Sequence, residues 1–149
     1  MDEKKLISSL VDLAFAEDIG DGDHTTLSCI PITEIGSSEL IIKEDGILAG
    51  VEVAIGVFKK LDSDLKVEVF INDGAHVKKG DVAFIVKGKV QSILQAERLV
   101  LNIMQRMSGI ATITSKYVKE LEGTTAKVLD TRKTTPGMRL LEKQAVKIG

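Results

Sequence analysis

The amino-acid sequence predicts an α+β domain with short strands, followed by the first strand–loop–helix unit of an α/β domain. Three observations support this prediction. Short apolar segments between residues 38 and 86 are separated by turns that contain Gly. A helical apolar pattern then runs from about residue 91 to residue 121. Finally, an apolar strand pattern at residues 126–129 leads through a polar loop into another helical segment.

The composition is that of a packed globular protein. Hydrophobic residues make up 44% of the 149 residues and charged residues 28%, which excludes a disordered chain. Aromatic residues are only 3% and the net charge is −2, so we expect no nucleic-acid partner. No apolar run approaches the roughly 18 residues of a membrane span, and the acidic amphipathic N-terminus is not a signal peptide. We therefore expect a cytoplasmic protein without a membrane partner.

The thiol and imidazole side chains are too few for a disulfide framework or a metal site. Cys29 is the only cysteine, and His24 and His76 are far apart in the sequence. Neither a disulfide pair nor a metal-ligand spacing can be built from them. The sequence also contains no phosphate-binding Walker motif and no cysteine nucleophile with an adjacent base, so no catalytic residue is assigned.

The first 90 residues are expected to alternate helices and strands. Asp2 is predicted to cap a first helix, which ends before an acidic loop at residues 17–23. A short amphipathic helix near residues 53–61 separates strand patterns. The tripeptide Lys87-Gly88-Lys89 is a candidate turn. The strand patterns lie at residues 38–43, 65–71 and 82–86.

The long helical segment carries a polar stripe beside its apolar one. Its members share one helix face and include no acid. Such a face either lines an anion pocket, with Gly109 permitting close approach, or is simply solvated. Ser108-Gly109 is also predicted to kink or split the helix. The stripe consists of Arg98, Asn102, Gln105, Gly109 and Thr112.

Positive charge is concentrated in the last 23 residues. Residues 1–126 have a net charge of −6, whereas residues 127–149 have a net charge of +4. Within this segment, Thr131, Arg132 and Lys133 follow the predicted strand, at the position where α/β barrels carry their active sites. Arg and Lys together suit carboxylates and phosphates. The segment is therefore either an anion site or a helix-entry loop with incidental charges.

Several stretches together resemble the quinolinate phosphoribosyltransferase family over essentially the whole chain. The acidic EDIGDGDHTT segment, residues 17–26, is similar to an early family signature. DGILAG at residues 45–50 and DGAHVKKGD at residues 73–81 fit the N-terminal domain of the family. The most specific stretches are AERLVLNIMQRMSGIAT, residues 96–112, and LDTRKTTPGMRLLEKQAV, residues 129–146.

The resemblance implies an α/β-hammerhead-like α+β N-terminal domain, residues 1–112, followed by the start of an incomplete α/β barrel, residues 113–149. It implies transfer of a phosphoribosyl group from phosphoribosyl pyrophosphate to quinolinate with decarboxylation, giving nicotinate mononucleotide for NAD biosynthesis. It also implies Mg²⁺ with ligands outside this chain, and a homodimer or higher homo-oligomer. Because the family continues beyond the matched stretches, the 149 residues alone are expected to be inactive.

The resemblance also assigns residues to the substrate. Arg98 matches an arginine that reaches the quinolinate carboxylates across a dimer interface, and Thr131, Arg132 and Lys133 match a substrate-binding loop. Arg139 and Lys143 match positions with a supporting role.

Other functions stay open at this point. A molybdenum-transport-associated, phosphoribosyltransferase-like family shares parts of the pattern. A lipoyl- or biotinyl-type hairpin domain would use the candidate turn at residues 87–89, although the residues flanking such modification sites are missing. A scaffold that only dimerises is a third possibility.

Overall fold

The computed structural model describes residues 2–149, and these form five helices and five strands. The strands are short and the helices vary from two turns to more than eight. The helices are α1 (Glu3–Ile19), α2 (His24–Cys29), α3 (Val51–Leu61), α4 (Val90–Glu120) and α5 (Arg139–Ile148). The strands are β1 (Ile35–Ile41), β2 (Gly46–Ile47), β3 (Lys66–Val69), β4 (His76–Val77) and β5 (Val82–Lys89).

Five of the elements form two antiparallel sheets. The larger sheet has the order β1-β5-β3, and β2 pairs with β4 in a second, two-stranded sheet. In the central strand β5, Phe84 and Val86 are buried on the face toward the helices, as expected for alternating residues of a half-covered sheet. Phe84 meets Phe58 of α3 edge to face, with ring centroids 6.0 Å apart. The core therefore lies between this sheet and helices α3 and α4.

The prediction of a turn at residues 87–89 is wrong. Lys87, Gly88 and Lys89 belong to β5 and pair with Ser37, Gly36 and Ile35 of β1. Cross-strand hydrogen bonding to β1 continues the strand through Gly88, since Gly alone does not force a turn when a partner strand is available.

Helix α4 is a single 31-residue helix, about 46 Å long, that contacts both sheets and all four other helices. The predicted split at Ser108-Gly109 is wrong, because the helix is uninterrupted there, and the alternative of a kink stays a prediction. Ser108 instead faces the core segment before α3, where its hydroxyl accepts a hydrogen bond from the Ala49 N–H (3.0 Å) and donates one to the Ala49 carbonyl (3.1 Å). Thr112 accepts from the N–H of Ile47 at 2.9 Å.

The N-terminal segment is more helical than predicted. The cap is confirmed, since the Asp2 carboxylate accepts from the N–H of Lys4 at 3.0 Å. The helix, however, continues to Ile19 instead of ending before residue 17. The acidic segment then forms a new helix, because the carboxylate of Asp23 accepts from the N–H of Thr26 and so caps α2.

The predicted strand at residues 126–129 is not a strand. This segment has no regular secondary structure and pairs with no other strand of residues 2–149. Leu129 is 86% exposed. An apolar run becomes a strand only where a neighbouring strand accepts and donates its backbone hydrogen bonds, and none lies beside it. The following helix is confirmed as α5. The predicted boundary between residues 112 and 113 lies inside α4 and stays a prediction.

None of the helices in the described part of the chain has the length and apolar character needed to cross a membrane.

Candidate functional site

The basic loop, residues 130–137, displays its cations to solvent. The side chains of Thr131, Arg132 and Lys133 are all exposed. The loop backbone is folded on itself: the N–H of Lys133 donates to the Thr131 hydroxyl at 3.1 Å, and the N–H of Thr134 donates to the Arg132 carbonyl at 2.9 Å. Two adjacent cationic side chains on an ordered, exposed turn are suited to hold an anionic ligand.

A β-turn joins the loop to α5. The N–H of Met138 donates to the Thr135 carbonyl at 3.0 Å, with Pro136 and Gly137 at the two central positions. Gly137 has φ +82°, which a type II turn requires at its third residue and which other residues adopt reluctantly. The predicted role of Pro136 and Gly137 in starting the next helix is confirmed.

An ion pair fixes the beginning of the loop. The ammonium group of Lys143, on α5, lies 2.5 Å from a carboxylate oxygen of Asp130. Both side chains are about one-third exposed. Lys143 was expected to have a supporting role, and its contact here is with the protein itself. Arg139, the other supporting residue, is exposed at the first position of α5.

The end of the loop is fixed by three residues, which we call the anchor cluster: Arg106 of α4, Thr135 of the loop and Glu142 of α5. The Arg106 Nε donates to Glu142 Oε1 at 2.7 Å, and its Nη2 donates to the same oxygen and to the Thr135 hydroxyl. The backbone N–H of Thr135 lies 3.3 and 3.4 Å from the two carboxylate oxygens. One guanidinium thus joins α4, the loop and α5.

Glu142 is ionised within this cluster. Only 8% of the residue is exposed, and such burial raises the pKa of a carboxyl group. Hydrogen bonds from Arg106 and Thr135, together with the positive charge of Arg106, outweigh that effect and hold the pKa of Glu142 below its usual value. The carboxylate is therefore a permanent partner of Arg106 near neutral pH.

Arg98 lies in a different part of the molecule. Its Nη1 is 2.6 Å from a carboxylate oxygen of Asp18, near the end of α1, while 68% of the Arg98 side chain remains exposed. The hydrogen bond to Asp18, with the charge of that carboxylate, raises the pKa of Arg98 above its usual value. The pair borders a polar notch of about 220 Å³ that also includes Asp23 and His24.

Arg98 and the predicted loop residues are thus held by different partners in the structure. Within residues 2–149, Arg98 pairs with Asp18, whereas the loop is attached through Lys143 and Arg106. The other members of the polar stripe also differ in their surroundings. Asn102, Gln105 and Gly109 are exposed, whereas Thr112 binds the backbone of β2. No described atom lies within 4 Å of the position a Gly109 Cβ would take, and the close approach of an anion expected there stays a prediction.

The anchor cluster was missed by sequence reasoning, although one signal was present. Glu142 is the only acidic residue after Asp130, in a strongly basic segment. It also stands next to Leu141 and three residues before Ala145, which are both buried. A lone acid at the edge of an apolar helix face, among cations, indicates a specific cationic partner. Nothing in the sequence indicated that this partner was Arg106.

Two family profiles match most of the chain, including the basic loop and the anchor cluster. The profile described as "Quinolinate phosphoribosyl transferase, N-terminal domain" matches residues 23–108, and the profile of the C-terminal domain of the same enzyme matches residues 110–149. The first match ends within α4, and the second includes the basic loop and α5.

Individual relatives agree with the profiles. The chain is 47% identical over 144 residues to quinolinate phosphoribosyltransferase [decarboxylating] 1b of Nicotiana tabacum, covering 96% of this chain and 41% of that protein. It is 40% identical over 143 residues to a probable nicotinate-nucleotide pyrophosphorylase [carboxylating] of Bacillus subtilis, covering 96% and 49%. The chain thus spans less than half the length of these relatives.

Solved structures confirm the fold class: an α+β N-terminal domain followed by the beginning of an α/β barrel. NadC from Streptococcus pyogenes superposes with a TM-score of 0.93 at 37% identity, covering 96% of this chain and 51% of that one. The nicotinate-nucleotide pyrophosphorylase from Francisella tularensis gives a TM-score of 0.92 at 38% identity, covering 100% and 53%.

Proposed function

The chain belongs to the quinolinate phosphoribosyltransferase family, and from this premise we propose that the protein transfers a phosphoribosyl group to quinolinate with loss of carbon dioxide. The observation that carries the proposal is the basic loop, on which exposed Arg132 and Lys133 stand between two fixed ends. A loop of this kind holds a substrate through its charges while its backbone stays in place.

The chemistry of quinolinate matches the residues of the loop. Quinolinate has two adjacent carboxylates, and a guanidinium binds a carboxylate through two parallel hydrogen bonds. Arg132 would hold one carboxylate in this manner, Lys133 would neutralise charge as a mobile ammonium, and the Thr131 hydroxyl would donate a further hydrogen bond. Held in this way, the ring nitrogen can face the anomeric carbon of the sugar, and positioning of this kind lowers a barrier by roughly 7–11 kcal/mol.

The reaction balances without a redox partner. The ring nitrogen forms a bond to the anomeric carbon, and the bond from that carbon to pyrophosphate breaks. The carboxylate next to the ring nitrogen then leaves as carbon dioxide, its electron pair stays on the pyridinium ring, and a proton takes its place. The products are nicotinate mononucleotide, pyrophosphate and carbon dioxide. This reaction is an intermediate step of NAD biosynthesis.

A second copy of the chain and a metal ion complete the proposal. Arg98 would reach the quinolinate carboxylates from the other copy of a homodimer or higher homo-oligomer. Residues 2–149 bring together no group of three His, Cys, Asp or Glu side chains able to hold a metal ion. Mg²⁺ would therefore arrive with phosphoribosyl pyrophosphate, with its protein ligands outside these residues. A cytoplasmic location also stays a prediction.

The test is the effect of Arg132→Ala on the protein at its full natural length. Loss of the charged hydrogen bonds, each worth about 1.5–3 kcal/mol, should raise KM for quinolinate roughly tenfold to hundredfold. KM for phosphoribosyl pyrophosphate should change much less. The measurement is formation of nicotinate mononucleotide at varied concentrations of each substrate.

Glu68→Gln is the control. This substitution also removes a charge, but Glu68 pairs with Lys87 in an exposed position on the sheet, away from the basic loop. Its kinetics should equal those of the unmodified protein. Unchanged KM and kcat in Arg132→Ala would contradict the role of the loop. A protein that makes no nicotinate mononucleotide would favour the molybdenum-associated relatives instead.

A further inference from the structure

Arg106 is close to the basic loop, and two of its three guanidinium nitrogens are bonded within the protein, while 43% of its side chain is exposed. Its Nε and Nη2 donate to Glu142, and Nη2 also donates to Thr135. The ionised carboxylate of Glu142 cancels its charge, and 8% exposure leaves that carboxylate almost no contact with water. Through these bonds Arg106 holds Glu142 and Thr135, which lie next to the loop residues proposed to bind the substrate.

The basic loop depends on two attachments. Asp130 is paired with Lys143, and Thr135 is bonded to the anchor cluster. Among residues 2–149, no other side-chain hydrogen bond or ion pair connects residues 130–137 to a helix or strand. Arg132 and Lys133 lie between these attachments, two or three residues from each. Of the two, only the anchor cluster reaches α4, the helix that contacts the rest of the core.

A negative charge at Glu142, close to a loop proposed to bind an anion, is unexpected. A carboxylate beside a loop that binds a dianion would repel the substrate, and a neutral residue would avoid that repulsion. Its hydrogen bonds supply the reason, since a carboxylate accepts from the backbone N–H of Thr135 and from Arg106 at the same time. We propose that Arg106, Thr135 and Glu142 are positioning residues, which set the place of Arg132 and Lys133 for quinolinate. This inference rests on the function proposed above.

Charge and position predict opposite results for Glu142→Gln. If charge alone mattered, removing the negative group would strengthen binding of the dianion and lower KM for quinolinate. If Glu142 positions the loop, kcat/KM for quinolinate should fall about tenfold, because displaced reacting groups lose rate steeply. Arg106→Lys keeps the positive charge but loses the planar fork that bonds two partners, so it should cause a similar fall.

The experiment uses the protein at its full natural length and measures kcat and KM for both substrates. Thermal unfolding of each variant identifies those that no longer fold. Thr135→Val is the milder variant, since it removes one hydroxyl and keeps the pair of Arg106 and Glu142; kcat/KM for quinolinate should fall a few-fold. Glu68→Gln again serves as the control for the loss of an ion pair.

A double-mutant cycle with Arg132→Ala tests whether the cluster acts through the loop. Glu142→Gln should lower kcat/KM about tenfold in the unmodified protein but less than about twofold in the Arg132→Ala protein, because the residue it positions is gone. A merely structural role would give the same factor in both backgrounds.

The outcomes separate this inference from the function beneath it. If Arg132→Ala impairs quinolinate kinetics while folded Glu142→Gln, Arg106→Lys and Thr135→Val do not, only the inference is overturned. If Glu142→Gln lowers kcat/KM by the same factor with and without Arg132→Ala, the inference is likewise overturned while the proposed function stands. If Arg132→Ala has no effect, or if the protein does not use quinolinate, the proposed role of the loop fails and the inference fails with it.

Discussion

At the scale of single residues, Glu142 has the clearest consequence for stability. Its folded pKa lies below the usual value because Arg106 and Thr135 bond the charged form, although burial acts the other way. A carboxyl group with a lowered folded pKa stabilises the protein above its unfolded pKa, and that contribution is lost as the pH falls toward the folded pKa. The stabilisation from Glu142 should thus be complete at neutral pH and decline under acid conditions.

Glu142→Gln should therefore lower the free energy of unfolding by about 1–3 kcal/mol at pH 7, through loss of charged hydrogen bonds in a nearly buried position. The difference from the unmodified protein should shrink as the pH falls below about 5, since Glu142 itself becomes neutral. Urea unfolding of both proteins at pH 7, 5, 4 and 3 measures this difference in the free energy of unfolding. A difference that stays the same down to pH 3 would show that the carboxylate charge does not contribute.

At the scale of secondary-structure elements, Ser108 joins α4 to the segment before α3. Its hydroxyl satisfies both the N–H and the carbonyl of Ala49, which is completely buried. Ser108→Ala should lower the free energy of unfolding by about 2–6 kcal/mol, because two buried backbone groups lose their partner at about 1–3 kcal/mol each. Urea denaturation at pH 7 measures the change.

Ser115 provides the comparison for this prediction. It is on the same helix, is half-buried, and makes no side-chain hydrogen bond within residues 2–149. Ser115→Ala should change stability by less than about 0.5 kcal/mol. Equal effects of the two substitutions would mean that the bonds to Ala49 contribute nothing beyond the loss of a serine.

Elements with a strong local signal were predictable from the sequence. Helix α3, strand β5 and the turn at Pro136 and Gly137 follow from apolar spacing and from residues with fixed backbone preferences. Errors arose where a distant partner decides the outcome. Residues 87–89 became a strand because β1 pairs with them, and residues 126–129 did not because no strand lies beside them.

The candidate site divides in the same manner. Thr131, Arg132 and Lys133 could be found because cations cluster on a loop between recognisable elements. The anchor cluster could not, because its members are 29 and 36 residues apart from Arg106 and meet only through the packing of α5 on α4. The sequence thus indicates that the cations of the basic loop bind an anion, but it does not indicate that Arg106 holds the loop in place.

At the scale of the whole molecule, we expect the proposed site to use two copies of the chain. Arg98 and the basic loop share no bond within one chain, and Arg98 is largely exposed beside Asp18. The resemblance of Arg98 to an arginine that reaches quinolinate across a dimer interface predicts that Arg98 comes from a second copy. An isologous dimer would place the Arg98 of each copy at the loop of the other.

Mixing two defective proteins tests this arrangement. Arg98→Ala and Arg132→Ala should each be strongly impaired, yet co-expression of the two should restore activity, since one of the two sites in each mixed dimer has both arginines. Random pairing makes about one quarter of all sites intact. The measurement is formation of nicotinate mononucleotide by the mixture and by each variant alone. A mixture no more active than its components would place both arginines in one chain or remove Arg98 from the site.

Because α4 is continuous, its length is constrained in a way that the loops are not. An inserted residue between Arg98 and Arg106 would turn everything beyond it by about 100° and shift it by 1.5 Å. Arg106 would then lose Glu142, and Ser108 would lose Ala49. Insertions and deletions during the divergence of this family should therefore be rare between residues 98 and 112 and more frequent at residues 121–125, where the chain runs in exposed turns.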